Sequence, residues 1–364
     1  MDYEYDLLFV IGRFQPVHLG HMKIFAEALH RSRRLLILIG SSNKPRSFRN
    51  PFTFEERAGI IEDATHYLIE DEFADRPGLW IKSGVQSDRL DIQPLNDHPY
   101  NDKAWMKAVQ TAVKNNTWQY ETADRPQKVG MIGYAKDHTS YYQKLFPDWG
   151  SVDVPLKVIY NATDIRNEYF TRTPKIARDI VPEATATFMK GFLEHEEFRN
   201  LVAEREYIAA YRKSWEAAPY PPTFLTADAV VTQGANILLI QRKASPGRGL
   251  LALPGGFLDP HETLLDGAIR ELVEETRIKV TPKVLRGSLK KSKVYDDPNR
   301  SDRGRTVTQA FHFDLEPQLE LPRVKGSSDA GKAFWAQIAN LDPRLFFEDH
   351  HAVILDLLSL ENTN

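Results

Sequence analysis

The chain has 364 residues, room for about two to three domains. Its 42% hydrophobic and 11% aromatic residues are enough for packed cores, which excludes a disordered chain. Lys+Arg 47 against Asp+Glu 50 gives a net charge of −3, so there is no global basic field and nucleic acid is not an expected partner. The absence of cysteine excludes disulfides, thiolate-bound zinc, iron–sulfur clusters and a cysteine nucleophile, so any metal must be held by oxygen or imidazole.

In chain order, the start MDYEYDLLFVIGRF is acidic and has no apolar leader, so no signal peptide is expected. No apolar run reaches membrane-spanning length, so the expected location is cytoplasmic, away from membranes. Residues 6–12 (DLLFVIG) and 34–40 (RLLILIG) read as buried strands around a helical pattern at 18–31. That βαβ unit implies a parallel sheet with a right-handed crossover. Further strands are expected at 79–83, 128–133 and 156–160, and helices at 53–69, 101–116 and 138–146. Alternating strands and helices define a doubly wound α/β domain. Residues 183–217 lack proline and read as one or two helices, stopped by Pro219-Tyr220-Pro221-Pro222. Beyond them come a hairpin around Gln233–Asn236, a helix at 263–277, strands at 284–290 and 306–315, and a helix at 349–360, a mixed α+β domain. The expected division is 1–182, a helical connector 183–219, and 220–364.

The first chemical constellation is Gly12-Arg13-Phe14-Gln15-Pro16-Val17-His18-Leu19-Gly20-His21, between the first strand and the first helix. Parallel sheets bind ligands at that edge. Glycines at 12 and 20 permit close backbone approach. A helix opening near His18 offers N–H groups and a positive dipole end to an anion. His18 and His21, three apart, share the first helical turn. With Arg13 they suit a polyphosphate and could stabilise charge on a transferring phosphoryl group. An isolated HxxH pair is more often a surface turn; its place between strand and helix favours function.

This segment resembles the GRFxPxHxGH signature of the nucleotidyltransferase superfamily, the HxGH adenylyltransferases. The stretch Ser41–Arg57 after the second strand, ending in Asn50-Pro51-Phe52-Thr53-Phe54-Glu55-Glu56-Arg57, is similar to the corresponding stretch of archaeal-type nicotinamide mononucleotide (NMN) adenylyltransferases, with its NPFTxxER core. Asn161-Ala162-Thr163-Asp164-Ile165-Arg166 resembles the family's late helix N-terminus, which grips the ATP β- and γ-phosphates, with Asn161 where serine is common. The loop Gly133–His138 matches a family loop near the nucleotide. The resemblance implies catalytic roles for His18, His21, Arg13 and Arg166. It implies nucleotide binding by Gly12, Phe14, Arg57, Lys136, Asp137 and Thr163. Taken alone, Arg57 reads more readily as a helix-surface ion pair, and Lys136–Asp137 as a solvated pair. In the implied reaction the NMN phosphate attacks the ATP α-phosphorus and pyrophosphate leaves. Mg²⁺ would arrive mainly on ATP.

The second constellation runs from Gly256 through Glu262 to Arg270-Glu271-Leu272-Val273-Glu274-Glu275-Thr276-Arg277-Ile278. Glu271, Glu274 and Glu275 share one helix face, where like charges repel unless neutralised. Mg²⁺ or Mn²⁺ would do that with oxygen ligands, although such runs also occur in ordinary acidic helices. The full spacing resembles the Nudix box, GX5EX7REUXEEXGU, with Arg277 where the box has glycine. That glycine commonly closes the helix in a left-handed conformation, so Arg277 should cost about 1 kcal/mol. The resemblance implies Glu271, Glu274 and Glu275 as metal ligands, Arg270 orienting a glutamate, and Glu262 in support. Arg300, Arg303 and Arg305 can pair with phosphate, and Tyr295 could stack on a base. These arginines could equally lie in a solvated loop. The block resembles one in bifunctional ADP-ribose pyrophosphatases, but a proline that marks many ADP-ribose-specific Nudix enzymes is absent, with Lys293 and Val294 there. The general base is not identified, and Asp329 is a candidate.

The order of the two motifs is that of bifunctional NMN adenylyltransferase/Nudix hydrolases. The expected partners are therefore ATP, NMN, NAD and ADP-ribose, and a homodimer is inherited from Nudix relatives. Two alternatives stay open: the same folds with a different acceptor or nucleoside diphosphate derivative, or a non-catalytic ADP-ribose/NAD sensor. A sensor usually carries a degraded box and a basic appendage, and neither is evident here.

Overall fold

The computed structural model describes residues 3–73, 89–117, 127–134, 145–155, 161–318, 320–326 and 330–360, with the backbone alone at 67–73 and 330. The strands expected at 79–83 and 156–160, most of the helix expected at 138–146, and Lys136, Asp137 and Asp329 lie outside these residues. By compactness the chain divides into one unit of Met1–Asp97 with Asp102–Val202, and another of His98–Asn101 with Ala203–Asn364.

The first unit contains β1 (Tyr5–Gly12), α1 (Leu19–Arg31), β2 (Ser32–Ile39), α2 (Phe54–Phe73), β3 (Leu90–Pro94), α3 (Asp102–Thr117), β4 (Val129–Gly133), β5 (Gly150–Asp153), α4 (Ala162–Tyr169) and α5 (Glu183–Phe192). Its strands form a five-stranded sheet in the order β3-β2-β1-β4-β5, parallel throughout. The apolar run Leu35–Ile39 has no exposed residue, as expected of a strand covered on both faces. Val10, Leu35, Ile37 and Ile39 pack with Ile24, Phe25 and Ile61 on one side. Phe9, Leu36 and Leu38 pack with Val109, Val113 and Phe146 on the other.

The helical stretch predicted at 183–217 is two helices, α5 and α6 (Glu196–Lys213). α5 and the start of α6 pack Met189, Phe192, Phe198 and Leu201 with Phe52, Tyr169 and Phe170. The sequence did not reveal β3, which carries polar Asp91 and Gln93 and ends in proline, so its pattern lacks an apolar run.

The second unit is built on β6 (Thr223–Gln233), β7 (Asn236–Arg242), β8 (Leu251–Ala252), β9 (Gly255–Phe257), α7 (Leu264–Thr276), α8 (Pro282–Gly287), β10 (Leu289–Tyr295), β11 (Arg305–Asp314), β12 (Ala330–Gln337) and α9 (His350–Leu358). The sheet order is β10-β11-β6-β7-β12, with β8 beside β7 and β9 beside β6. β11 and β6 run parallel while the other pairs are antiparallel, so the sheet is mixed. The hairpin at Gln233–Asn236 forms, with Thr232 opposite Ile237 and Gly234 at φ 60°. α7 lays Ala268, Ile269 and Leu272 against Ala227, Ala229 and Phe313.

The strand expected at 284–290 is instead a helix followed by β10. Thr281 caps α8 through the Val284 N–H at 3.4 Å, and Pro282 occupies its first turn, start signals that outweigh the apolar Val284-Leu285 pair. No helix among the described residues is long and apolar enough to cross a membrane.

Candidate active sites

The first site is the turn between β1 and α1. A Cβ at Gly12 would lie 2.7 Å from the Phe14 ring, so only glycine lets the chain fold back this tightly. Phe14 has φ 52°, a left-handed conformation that costs a bulky residue about 1 kcal/mol. Its buried ring compensates by packing edge-on to His21 at 4.9 Å and against Phe25 at 5.6 Å.

The carbonyls of this turn are engaged from behind. Gly12 O accepts from the Gly40 N–H at 2.8 Å, and Arg13 O from Arg57 Nη1 at 2.8 Å. Gln15 O accepts from Arg166 Nη1 at 2.6 Å, Val17 O from Thr185 Oγ1 at 3.2 Å, and Gly20 O from the Tyr134 hydroxyl. The Gln15 amide closes both backbone groups of Phe52, at 2.9 and 3.0 Å. Carbonyl dipoles directed into the protein suit a turn that must receive an anion.

His18 precedes the first residue of α1, and its N–H donates to His21 Nδ1 at 3.3 Å. The two imidazoles stack at 3.7 Å and 19°, with His18 buried and His21 half-buried. Two rings therefore stand together at the opening of a 13-residue helix.

Arg57 and Arg166 are differently employed from the sequence expectation of hands reaching for phosphate. Arg57 is 1% exposed. Its guanidinium binds the carbonyls of Thr53, Arg13 and Gly40 at 3.0, 2.8 and 2.7 Å, and burial lowers its pKa to about 10. Arg166 is buried, with Nη2 on Thr163 Oγ1 at 3.1 Å. Asn161, the departure from serine, still caps α4 by accepting from Thr163 N at 2.9 Å. Arg13 and Thr163 are exposed.

One partner escaped sequence reasoning, Asp97. Ser41, at φ 53° beyond β2, donates its N–H and hydroxyl to the Asp97 carboxylate at 3.2 and 2.9 Å. Asn43 Oδ1 accepts from the Asp97 N–H at 2.9 Å. The run Ser41-Ser42-Asn43 after a buried strand was a usable turn signal. Asp97 follows the unrecognised β3 and had none.

The second site lies on α7 and β9. A Cβ at Gly256 would meet Glu271 Oε1 at 2.5 Å, and one at Gly255 would meet Asp228 Oδ1 at 2.3 Å, so the paired glycines admit carboxylates against the strand. Arg270 is the hub. It binds Glu262 at 2.7 Å, Glu271 at 2.9 Å and Glu274 at 3.2 Å, and donates to Phe257 O at 3.2 Å. This partnership holds Glu262 down at about 2. Glu275 accepts from the Gly255 N–H at 3.0 Å. Burial nevertheless pushes Glu275 up to about 8, and it raises Glu271 as well. Asp228, which sequence reasoning missed, is buried behind Gly255 and accepts from Thr308 Oγ1 at 2.6 Å.

Among the described residues no three His, Asp or Glu side chains are gathered into a ready metal cage. The donors fit a divalent cation by chemistry. All are carboxylate oxygens, two are partly desolvated, and Arg270 carries the positive charge that now balances Glu271 and Glu274.

The arginine loop divides. Arg300 is turned inward as a buried two-point pair with Asp349, at 3.0 and 2.8 Å, so it is a structural ion pair and not a free phosphate hand. Arg303 faces Glu348 at 3.6 Å, and Arg305 donates to the Asp296 carbonyl. Tyr295 is fully buried with its hydroxyl on Asp356 at 2.8 Å, which removes the expected stacking role.

An HxGH turn on a parallel sheet, together with a Nudix helix on a mixed sheet, defines a nucleotidyltransferase joined to a Nudix hydrolase. Residues 9–138 match the cytidylyltransferase-like family and residues 222–358 the NUDIX domain family. A bifunctional NMN adenylyltransferase/ADP ribose pyrophosphatase from Francisella tularensis, solved with AMP and a manganese ion, is 32% identical with a TM-score of 0.84. That match covers 98% of this chain and 99% of that one. A nicotinamide/nicotinic acid mononucleotide adenylyltransferase from Acinetobacter baylyi is 34% identical over 200 residues, 55% of this chain and 93% of that protein. An ADP-ribose pyrophosphatase from Methanocaldococcus jannaschii is 34% identical over 138 residues, 38% of this chain and 75% of that protein. The chain belongs to the family of bifunctional NMN adenylyltransferase/ADP-ribose pyrophosphatases.

Proposed function

We propose that residues 1–182 transfer the adenylyl group of ATP to NMN, giving NAD and pyrophosphate. Residues 220–364 hydrolyse ADP-ribose to AMP and ribose 5-phosphate, and 183–219 is the helical connector. The observation that carries the first half is the Gly12–His21 turn, whose carbonyls are bonded from behind while two stacked imidazoles open α1. In this reading His18, His21 and Arg13 meet the ATP phosphates, and Gly12 and Phe14 shape the turn. Lys136 and Asp137 are nucleotide-binding candidates by resemblance alone. Arg57, Arg166 and Thr163 hold the turn in register. Such a reaction needs placement and charge stabilisation more than covalent help.

In the second half Glu271, Glu274 and Glu275 hold the metal, Arg270 and Glu262 orient them, and Arg303 and Arg305 attend the substrate. The metal supplies polarisation of the diphosphate and a water of lowered pKa. We propose magnesium as the working ion, with manganese able to replace it.

The test is a substrate screen of the purified chain with Mg²⁺. One set pairs ATP with NMN or nicotinate mononucleotide, and the other offers ADP-ribose, NADH and dinucleoside polyphosphates. NAD from the first and AMP from ADP-ribose in the second are expected. Another preferred acceptor or diphosphate would replace the substrate assignment. Binding of ADP-ribose without turnover would favour a sensor.

A further inference from the structure

Beside the carboxylate helix lies an aromatic surface to which the hydrolytic reading has given no role beyond Arg303. Phe257 follows the Gly255-Gly256 pair that admits Glu271, and its own carbonyl is held by Arg270 at 3.2 Å. Phe257 is therefore next in the chain to the glycine that Glu271 lies against, and it is 39% exposed. Phe224 meets that ring edge-on at 5.9 Å, and Trp215, 43% exposed, meets Phe224 at 5.2 Å. The Arg303 guanidinium lies 5.3 Å from the Phe257 centroid and 5.7 Å from that of buried Phe347. Glu348 at 3.6 Å fixes it there.

An exposed phenylalanine at a catalytic edge, backed by rings and touched by a guanidinium, offers a π-face to a flat heterocycle. An exposed aromatic patch of this kind, beside clustered carboxylates, marks a ligand surface.

We propose that the Phe257–Arg303 surface, flanked by Trp215, is the base-binding shelf of the hydrolytic site and stacks the adenine of ADP-ribose. Diphosphate cleavage then occurs one ribose away, at the carboxylates. The proposal rests on the hydrolytic reading above and adds the element that selects the base. Phe257 and Arg303 are specificity-determining residues in it and take no part in bond breaking.

The experiment compares ADP-ribose with the same diphosphate carrying uracil. The wild type should favour adenine. Phe257→Ala should raise KM for ADP-ribose roughly tenfold, the effect of losing one base stack, with kcat within about threefold and a smaller rise for the uracil compound, whose single ring stacks less. Phe257→Trp should restore the preference. Equal losses on both substrates, or no adenine preference in the wild type, would overturn the shelf. A second measurement does not depend on turnover: AMP titrated into the protein should change tryptophan emission, and Trp215→Phe should remove that change. With AMP shown to occupy the hydrolytic site by its competition with ADP-ribose cleavage, the absence of any response that depends on Trp215 or Phe257 would also overturn it. Failure of the wild type to cleave ADP-ribose while AMP still reports through Trp215 would count against the hydrolytic reading and leave the shelf standing.

Discussion

The two sites use arginine in opposite ways. In the first unit Arg57 and Arg166 are buried and donate to backbone carbonyls of the phosphate turn, so they set its shape. In the second unit Arg270 binds three carboxylates on and before α7, so it sets their charge balance. The difference follows from the ligands. A site that receives phosphate directly needs N–H groups and imidazoles in a fixed curve. A site that receives phosphate through a cation needs carboxylates kept close together despite their repulsion.

The largest effects separate the two units. His21→Ala should lower NAD formation by about 10²–10³-fold, the cost of one charge-stabilising group, and leave ADP-ribose hydrolysis nearly intact. Glu274→Gln should do the reverse, losing hydrolysis by a comparable factor while sparing NAD formation. Both are read by assaying the two products on each variant. Parallel loss of both activities in a folded variant would dissolve the two-site division.

A smaller effect tests whether Arg57 shapes the turn. Arg57→Ala leaves the Arg13 and Gly40 carbonyls without their buried donor. It should cost the first unit about 3 kcal/mol and depress NAD formation. Thermal unfolding should show the first unit's transition moved down, with hydrolysis unchanged below it. An unaltered transition together with weakened ATP binding would make Arg57 a ligand hand after all.

The two sites also differ in how much of them could be read in advance. The parallel sheet was legible because 6–12 and 34–40 are continuous apolar runs, as strands covered on both faces require. The carboxylate face of α7 followed from i, i+3 and i+4 spacing. Long-range hydrogen bonds were not legible. Nothing local tells that Thr185 reaches Val17 O, or that Asp97 serves Ser41 across β3. Tyr295 and Arg300 misled because sequence shows that a ring and a guanidinium are present, not that Asp356 and Asp349 already occupy them. Phe257 passed unnoticed because it occupies one of the unspecified positions between Gly256 and Glu262 of the Nudix pattern, where the motif assigns no residue type.

pH offers a finer separation. His350 in the second unit is buried, and its Nδ1 accepts from the Leu253 N–H at 3.0 Å. Burial lowers its pKa below the usual 6.5, and the same holds for His312, whose Nε2 is 2.8 Å from Thr232 Oγ1. A depressed histidine binds its proton more readily when unfolded. The histidines' contribution to stability is therefore full above pH 6.5 and is lost as the pH drops below it, by up to about 1.4 kcal/mol per pH unit for each proton taken up. Glu275 in the same unit, pushed up to about 8, takes up a proton on folding and contributes the opposite slope. The test is therefore the difference between the wild type and His350→Gln in unfolding of the second unit between pH 7.5 and 5.5: the variant should lack the histidine's loss at low pH. An unchanged slope in that variant would place the linkage elsewhere.

The smallest effect concerns the one departure from the Nudix pattern. Arg277 closes α7 at φ 47° and ψ 33°, the left-handed position that the box's glycine would fill without strain, and its N–H donates to Val273 O at 2.8 Å. Its side chain is exposed and none of the proposed metal carboxylates belongs to it. Arg277→Gly should therefore relieve backbone strain and stabilise the second unit by about 0.5–1 kcal/mol, with part of the gain offset by the greater freedom of glycine in the unfolded chain. Hydrolysis should be unchanged. A rise in thermal stability with unaltered kcat/KM would show that the departure is conformational only. A loss of activity would mean that the guanidinium, and not just the turn, serves the carboxylate helix.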